Sequence, residues 1–300
     1  MDIRAYLKEE KAAVENHLAG IIDCWSAGDS APGRLAGAMA YSLNAGGKRL
    51  RPILALTAFR ACGAQGDQVY SAACALELIH TYTLIHDDLP AMDDDDFRRG
   101  LPTCHRKFGV RRAMNAGVGL LLFAFEELNR SAEALGLSGR EKGDAVFSVA
   151  EAIGGGGVAG GQIVDLESEG KKVDRQILHY IHSHKTGALI SVSCTLGGRL
   201  ARAGGAKLEA LARYGEKIGL AFQIVDDLLD IEGDTEKLGK KVGADQARGK
   251  VTFPSVFGIE QSRRLAARAV EQAKEYLRRA ELHRDSPLGP IADFILSRKS

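Results

Sequence analysis

The sequence has 300 residues, of which 45% are hydrophobic and 26% are charged, and this is the composition of a globular protein with one large core or two domains. Forty basic residues against 39 acidic ones leave a net charge of +1, which argues against a nucleic-acid partner and against binding to an anionic membrane. Five irregularly spaced cysteines without a C-x-x-C pair argue against a disulfide framework or a zinc site and fit a reducing cytoplasm, where we expect the protein.

Helical periodicity with good helix formers runs through most of the chain. The pattern predicts helices over 34–45, 70–86, 112–136, 176–202, 206–230 and 258–281. Alternating strand patterns are few, and no segment has the composition of a domain linker. We therefore predict an all-α fold in a single domain over 1–300. The longest clean apolar run, 118–125, is too short to span a bilayer, so we expect no stable membrane insertion.

Two glycine-containing stretches raise the question of a phosphate loop. In AGGKRLRP, at 45–52, Arg49 stands where a P-loop carries Ser or Thr, and the spaced upstream glycine is missing. IGGGGVAGGQ, at 153–162, is more typical of a helix whose backbone packs closely against a neighbour. Neither stretch predicts a nucleotide site.

The stretch HDDLPAMDDDDFRRG, at 86–100, places six carboxylates among ten residues directly after an apolar helix. On an unbroken helix, Asp87 and Asp93 would point apart, because they are separated by about 600° of rotation. Pro90 cannot continue the helical hydrogen bonds. We therefore expect a turn near 89–92 that brings Asp93 back beside Asp87, while residues 94–96 face water.

A second acidic segment, FQIVDDLLDIEGD, lies at 222–234 and contains Asp226, Asp227 and Asp230. Asp226 and Asp230 are one helical turn apart, and apolar residues flank them, so a divalent cation would resolve the conflict between charge and burial. Oxygen ligands select Mg²⁺ or Ca²⁺ over zinc, and neither acidic segment has the EF-hand pattern. Because Mg²⁺ often combines carboxylates with substrate phosphates, the two segments together predict a magnesium–polyphosphate site. A solvated acidic loop is the alternative for either segment alone.

Cationic side chains stand near both acidic segments in the sequence. They are Lys48, Arg51, Arg98, Arg99, Lys185, Lys240, Lys241 and Lys250, with Thr186 beside Lys185. Arginine offers phosphate a bidentate fork and lysine a point charge. Each alone is typical of a surface residue, but their common placement favours a polyphosphate site. His80, in an apolar helix, is either a core histidine or a further donor to a phosphate.

These motifs together resemble the trans-prenyl diphosphate synthases, in particular the bacterial farnesyl diphosphate synthases (geranyltranstransferases). The resemblance covers about 40–260 and rests on GGKRLRP, IHTYTLIHDDLPAMDDDDFRRGLPTCH, GGQIVDLESEG, IHSHKTGALI, AFQIVDDLLDIEGDTEKLGKKVGAD and GKVTFP. It implies the isoprenoid synthase fold, a large helical bundle around a deep central cavity, and a homodimer.

The resemblance also implies the roles of individual residues. Three Mg²⁺ ions would be held by Asp87, Asp93 and Asp226, with Asp88, Asp227 and Asp230 in support. The allylic diphosphate would contact Arg98, Lys185, Thr186, Gln223, Lys240 and Lys250, and isopentenyl diphosphate would contact Gly47, Lys48, Arg51, His80 and Arg99. Gln162 and Asp165 match a pair that supports the metal site.

The implied activity is that of a (2E,6E)-farnesyl diphosphate synthase. Dimethylallyl or geranyl diphosphate ionises, the double bond of isopentenyl diphosphate attacks the allylic cation, and the released diphosphate is implied to take the final proton. Such a reaction needs no nucleophilic side chain, and we find no Ser-His-Asp or Cys-His set in the sequence. Apolar walls would keep water from the cation.

Tyr82 is the candidate for control of product length. It precedes Asp87 by five residues, about 7.5 Å along a helix, and a ring there would stop chain growth at C15. A core aromatic is the alternative interpretation. A small residue at this position would have favoured a C20 product.

One position departs from the family pattern. Val118 stands where the family usually carries the aspartate of A-G-D-x-L, which lowers activity or has no effect. A geranylgeranyl diphosphate synthase, a class I terpene cyclase, and a weakly active or non-catalytic magnesium-binding subunit are the alternatives. A cyclase would lack Lys48 and Arg51, and a non-catalytic subunit is expected to have lost aspartates, so we favour an active synthase.

Overall fold

The computed structural model of the chain describes residues 2–27, 32–171, 173–232, 250–284 and 286–298. Helices dominate these residues, and the all-α prediction is confirmed. The helices are α1 Ile3–Ala27, α2 Gly33–Asn44, α3 Leu50–Ala61, α4 Val69–Asp87, α5 Cys104–Phe108, α6 Val110–Ala134, α7 Gly139–Ile153, α8 Val158–Ser168, α9 Arg175–Ile181, α10 Ala188–Leu200, α11 Gly205–Glu232, α12 Phe253–Phe257, α13 Ile259–Arg279 and α14 Leu288–Leu296.

Two features of the described chain depart from regular α-helix. The strands β1 Phe97–Arg98 and β2 Leu101–Pro102 form an antiparallel hairpin. A π-helical turn, His182–Gly187, joins α9 to α10. The six predicted helices are otherwise present, with ends that differ by no more than two residues from the predicted ones.

The chain divides into two compact units, each with its own hydrophobic residues. The N-terminal unit contains Asp2–Ile53 and Gly66–Lys142, and the C-terminal unit contains the described residues of Leu54–Gln65 and Gly143–Ser300.

Helix α4 is the central helix of the N-terminal unit. Its sequence is apolar on most sides, as expected of a helix surrounded by others, and it packs along α6. Ala72, Leu76 and Ile79 are fully buried, and so is the polar Glu77. The helix ends at Asp87, and its last two turns, in which Thr81 and Ile85 are buried and the other residues partly exposed, lead directly into the first acidic segment.

Helix α11 has the same role in the C-terminal unit, where it packs against α10 and α13. Ile224, Val225 and Leu228 lie in a buried cluster that includes Phe253 and Leu178. The carboxylates of the second acidic segment lie between these apolar residues in the sequence. The packing of the apolar side chains therefore fixes the direction of the acidic ones.

Glycines allow close contact between α8 and the π-helical turn. A Cβ atom at Gly161 would collide with the backbone nitrogen of Lys185. The interpretation of the glycine-rich stretch as closely packed helix is therefore confirmed at this residue.

Cysteine pairing and membrane insertion can also be compared with the structure. All five cysteines are free thiols. Among the described residues, no helix has the length and apolar character needed to cross a membrane.

Candidate active site

The first acidic segment folds back at the end of α4. The backbone nitrogen of Asp93 donates to the carbonyl oxygen of Asp87 at 2.8 Å, and that of Asp94 donates to Leu89 at 3.1 Å. The predicted turn, which returns Asp93 to the side of Asp87, is confirmed. Asp94 adopts a φ of +48°, so the turn requires a left-handed residue that the sequence alone did not identify.

Three carboxylates of the first acidic segment lie against arginine side chains. Buried Asp88 accepts hydrogen bonds from Nε of Arg98 on both oxygens, at 2.8 and 2.9 Å. Asp96, which is exposed as predicted, pairs with Arg106. Asp95 is only 21% exposed and lies 3.8 Å from Arg98, so the prediction that it faces water was wrong. The buried carboxylate of Asp88 therefore orients the guanidinium of Arg98.

The hairpin after this segment positions Arg99. Arg99 and Gly100 connect the two strands with φ values of +54° and +77°, as a two-residue turn of type I′ requires. The Arg99 guanidinium lies so close to Gly47 that a Cβ atom there would be 2.7 Å from Nη2. Gly47 itself has a φ of +139°, which other residues rarely adopt.

His80 connects these residues into one cationic cluster. Burial, and then the charges of Arg51, Arg99, Arg98 and Arg49, lower the pKa of His80 well below its ordinary value. The imidazole is therefore neutral at pH 7 and can donate a hydrogen bond without adding a further charge. The structure thus brings Gly47, Arg51, His80 and Arg99 together.

Tyr82 lies on α4 between the cationic cluster and the first acidic segment. Its ring is partly buried and meets the ring of His86 edge to face, with 4.9 Å between centroids. Burial, and then Asp87, raise the pKa of the Tyr82 hydroxyl. Nε2 of His86 lies 3.1 Å from the carbonyl oxygen of Met114, which ties this part of α4 to α6.

In the C-terminal unit, the π-helical turn presents two of the predicted residues. Nζ of Lys185 donates to Oδ2 of Asp165 at 2.5 Å, and the Thr186 hydroxyl donates to Oε1 of Gln223 at 2.9 Å. Such π-helical turns inside helices are frequent at functional sites. The turn places adjacent residues against two different helices, α8 and α11.

The hydrogen bonds continue from Gln223 to Asp227. Nε2 of Gln223 donates to Oδ1 of Asp227 at 2.8 Å, and the backbone nitrogen of Phe253 donates to Oδ2 at 2.9 Å. His182 is 3.9 Å from Oδ2, and burial lowers its pKa to about 4. Because protein donors occupy both oxygens of Asp227, this carboxylate is suited to hold α11 and Gln223 in place.

Arg298 is a residue of this region that the sequence did not predict. Its Nη2 donates to Oδ1 of Asp226 at 2.8 Å, and its guanidinium lies 4.3 Å from the centroid of the Phe222 ring. The sequence shows a basic residue at 298, but it lies 72 residues from Asp226, so the contact could not be predicted from the sequence.

Some of the remaining predicted residues lie at a cavity beside the second acidic segment. Asp230 is buried, and with Asp227 and Lys250 it lines a cavity of about 840 Å³. Lys240 lies outside the described residues. Gln162 is buried on α8, and neither its Oε1 nor its Nε2 has a hydrogen-bond partner. A buried amide without partners indicates a site that a ligand or water completes.

Comparisons with known proteins identify the family of the chain. The polyprenyl synthetase family model matches residues 32–283, which include parts of both units. The farnesyl diphosphate synthase of Geobacillus stearothermophilus is 41% identical over 99% of this chain and 98% of its own. That of Escherichia coli (strain K12) is 46% identical over 87% of this chain and 88% of its own.

A solved structure extends the similarity to the fold. The geranylgeranyl pyrophosphate synthetase of Pyrococcus horikoshii Ot3 superimposes with a TM-score of 0.85 at 31% identity, over 99% of this chain and 98% of its own. The fold is therefore the all-α isoprenoid synthase fold. The chain belongs to the polyprenyl synthetase family and is a prenyltransferase of the trans-prenyl diphosphate synthase type.

Proposed function

We propose that the protein is a magnesium-dependent prenyltransferase that condenses isopentenyl diphosphate with dimethylallyl or geranyl diphosphate to give farnesyl diphosphate. The main support is the cationic cluster around neutral His80 together with the folded-back pair Asp87 and Asp93 on the same helix end. Two bacterial farnesyl diphosphate synthases among the relatives favour the C15 product.

The carboxylates fit Mg²⁺ in kind and number. Within the described residues, no three His, Cys, Asp or Glu side chains form a metal site by themselves. Asp87 with Asp93, and Asp226 with Asp230, offer oxygen ligands in pairs, and Mg²⁺ typically takes one or two carboxylates and completes its shell with water and substrate phosphates. We propose three ions, held by Asp87, Asp93 and Asp226, with Asp88, Asp227 and Asp230 in support. When bound, Mg²⁺ supplies a Lewis acid that stabilises the charge of the departing diphosphate.

The cationic residues of the N-terminal unit bind isopentenyl diphosphate in this proposal. The set is Gly47, Lys48, Arg51, His80 and Arg99. The neutral imidazole of His80 donates a hydrogen bond, while Arg51 and Arg99 neutralise the diphosphate charge. The backbone of Gly47 lets Arg99 approach the same place.

The allylic diphosphate is proposed to contact Arg98, Lys185, Thr186, Gln223, Lys240 and Lys250. Asp88 holds Arg98, Asp165 holds Lys185, and Asp227 holds Gln223, so these side chains are oriented before substrate arrives. Donors held in this way stabilise growing charge on the leaving diphosphate at little reorganisation cost. The departing diphosphate then accepts the proton lost from the condensed product.

Geranylgeranyl diphosphate is the second candidate product. The structural neighbour from Pyrococcus horikoshii Ot3 carries the name of a geranylgeranyl pyrophosphate synthetase. Tyr82 favours C15, because its ring is held against His86, five residues before Asp87 on α4. Incubation with isopentenyl and dimethylallyl diphosphate, with and without Mg²⁺, followed by product chromatography, tests the proposal. A C15 product that requires Mg²⁺ is expected. A C20 product would favour the second candidate, and an absence of product would contradict both.

We also propose a homodimer. Val110, Met114, Val118 and Leu122 follow one another at every fourth position of α6 and are between 41% and 60% exposed, which forms an apolar stripe typical of an interface. Leu122→Asp should shift sedimentation to the monomer, whereas Ile177→Asp, on exposed α9, should not. A dimer that persists in Leu122→Asp would contradict the proposal.

Val118, the departure from the family pattern, belongs to this stripe. Because its side chain is half exposed in the single chain, Val118→Asp should leave the chain folded, although in the proposed dimer it would place a charge in the interface. Its turnover is therefore compared with that of Leu122→Asp as well as with the wild type, and a change that Leu122→Asp does not share would come from residue 118 itself.

A further inference from the structure

Arg49 differs from the other cations of its segment because its side chain is buried. It is 4% exposed, although it lies between Lys48 and Leu50 in a loop directly before α3. Its backbone φ is +51°, and the preceding Gly46 and Gly47 have φ values of +85° and +139°. A non-glycine residue with this backbone conformation needs stabilising contacts from its surroundings.

The guanidinium of Arg49 makes those contacts. Nη1 donates to Oε1 of Glu77 at 2.7 Å, and Nη2 donates to the carbonyl oxygen of Leu43 at 2.7 Å. Glu77 is 2% exposed, so this ion pair is buried on both sides. One side chain therefore joins the loop at 45–49 to the end of α2 and to the middle of α4.

The position of Glu77 on α4 relates the ion pair to the cationic cluster. His80 follows Glu77 by three residues and lies on the same face of the helix. The charges of Arg49, Arg51 and Arg99 all act on His80, so the loop and this face of α4 are close together. The ion pair thus sets the distance between the loop that carries Gly47 and Lys48 and the helix that carries His80.

A buried ion pair is weak evidence for stability, because apolar residues of similar volume often stabilise a fold equally well. We propose that Arg49 and Glu77 are positioning residues, which hold the loop at 45–49 in register with α4 so that its donors converge on the diphosphate of isopentenyl diphosphate. This inference rests on the proposed function. It assigns the pair no contact with the substrate.

The test uses the double variant Arg49→Met with Glu77→Met, which removes both charges and keeps the volume. Binding of isopentenyl diphosphate is measured by titration calorimetry without the allylic substrate, and KM values are measured for both substrates. We expect Kd and KM for isopentenyl diphosphate to rise at least about tenfold, because small displacements of binding groups have large effects. The KM for the allylic substrate should stay within about twofold.

A stability control separates positioning from folding. Tyr214→Phe removes a buried hydrogen bond, from the Tyr214 hydroxyl to the carbonyl oxygen of Leu288, in the C-terminal unit. This variant should lower the melting temperature and leave Kd for isopentenyl diphosphate unchanged. If the double variant does not fold, Arg49→Lys decides: it keeps the charge but not the two-pronged contact, and should raise Kd about threefold or more.

The outcomes distinguish the inference from the proposed function. A folded double variant, or Arg49→Lys where the double variant does not fold, that binds isopentenyl diphosphate like the wild type would overturn the inference alone. Equal rises in Kd for that variant and Tyr214→Phe would also overturn it, because the effect would then follow stability. A wild-type protein that neither binds nor converts isopentenyl diphosphate would overturn the proposed function, and the inference with it.

Discussion

Arg298 donates a 2.8 Å hydrogen bond to Asp226, so the last described residue of the chain contacts the first carboxylate of the second acidic segment. The stacking of its guanidinium on Phe222 holds it there. A cation at Asp226 would be held by the same carboxylate that accepts this hydrogen bond. Arg298 and a metal ion would therefore compete for the charge of Asp226.

We expect Arg298→Ala to bind divalent metal more tightly than the wild type, by about threefold to tenfold, because one charge-assisted competitor is removed. Binding of Mn²⁺ in the presence of inorganic diphosphate, followed by electron paramagnetic resonance, measures this directly. Arg263→Ala is the matched control. Arg263 pairs at 2.6 Å with Glu232, which lies on α11 as Asp226 does. Weaker metal binding in Arg298→Ala would show that the arginine supports the site instead of competing for it.

Two aspartates of the first acidic segment, Asp93 and Asp96, should contribute very differently to kcat. Asp93→Asn removes one carboxylate of the proposed metal pair and should lower kcat at least about 100-fold, since a metal contact stabilises the transition state by several kcal/mol. Asp96→Asn removes an exposed carboxylate paired with Arg106 and should change kcat by less than about twofold. Steady-state assays over a range of Mg²⁺ concentrations measure both variants. Similar losses in the two variants would mean that the segment acts through its total charge.

Sequence pattern predicted the helices well because their apolar periodicity is the same property that packs them. The return of Asp93 to Asp87 followed from Pro90 and helix geometry alone. The hairpin was missed because a type I′ turn requires a positive φ at Arg99, and an arginine in the sequence does not indicate one. The π-helical turn was missed for a similar reason, since its residues also fit a regular helix.

The periodicity of the sequence could not predict contacts between residues that are distant along the chain. Arg49 was considered only as a departure from the P-loop pattern, and its burial against Glu77, 28 residues away, could not be predicted. Asp227 was placed with the metal carboxylates, and only the folded chain shows that Gln223 donates to one of its oxygens and the backbone N–H of Phe253 to the other. In each case the residue types were recognised and their partners were not.

Product length is predicted to depend on the ring of Tyr82. Tyr82→Ala should yield products longer than C15, because the side chain held against His86 is removed. Tyr82→Phe keeps the ring and should still give C15. Chromatography of products made from isopentenyl and dimethylallyl diphosphate measures both. An unchanged C15 product from Tyr82→Ala would remove Tyr82 from this role.

The stability of the fold should depend on pH through His80. Its pKa in the folded protein is well below the ordinary value of 6.5, so when the pH falls below about 6.5 the unfolded chain binds a proton that the folded chain does not. The free energy of unfolding therefore decreases as the pH is lowered. At pH 5.5 this histidine accounts for about 1 kcal/mol of the decrease. Urea unfolding at pH 7.5 and 5.5 should show that His80→Gln loses less stability than the wild type by this amount. Equal losses in the two proteins would contradict the assignment, because burial and the arginines around His80 would then not lower its pKa.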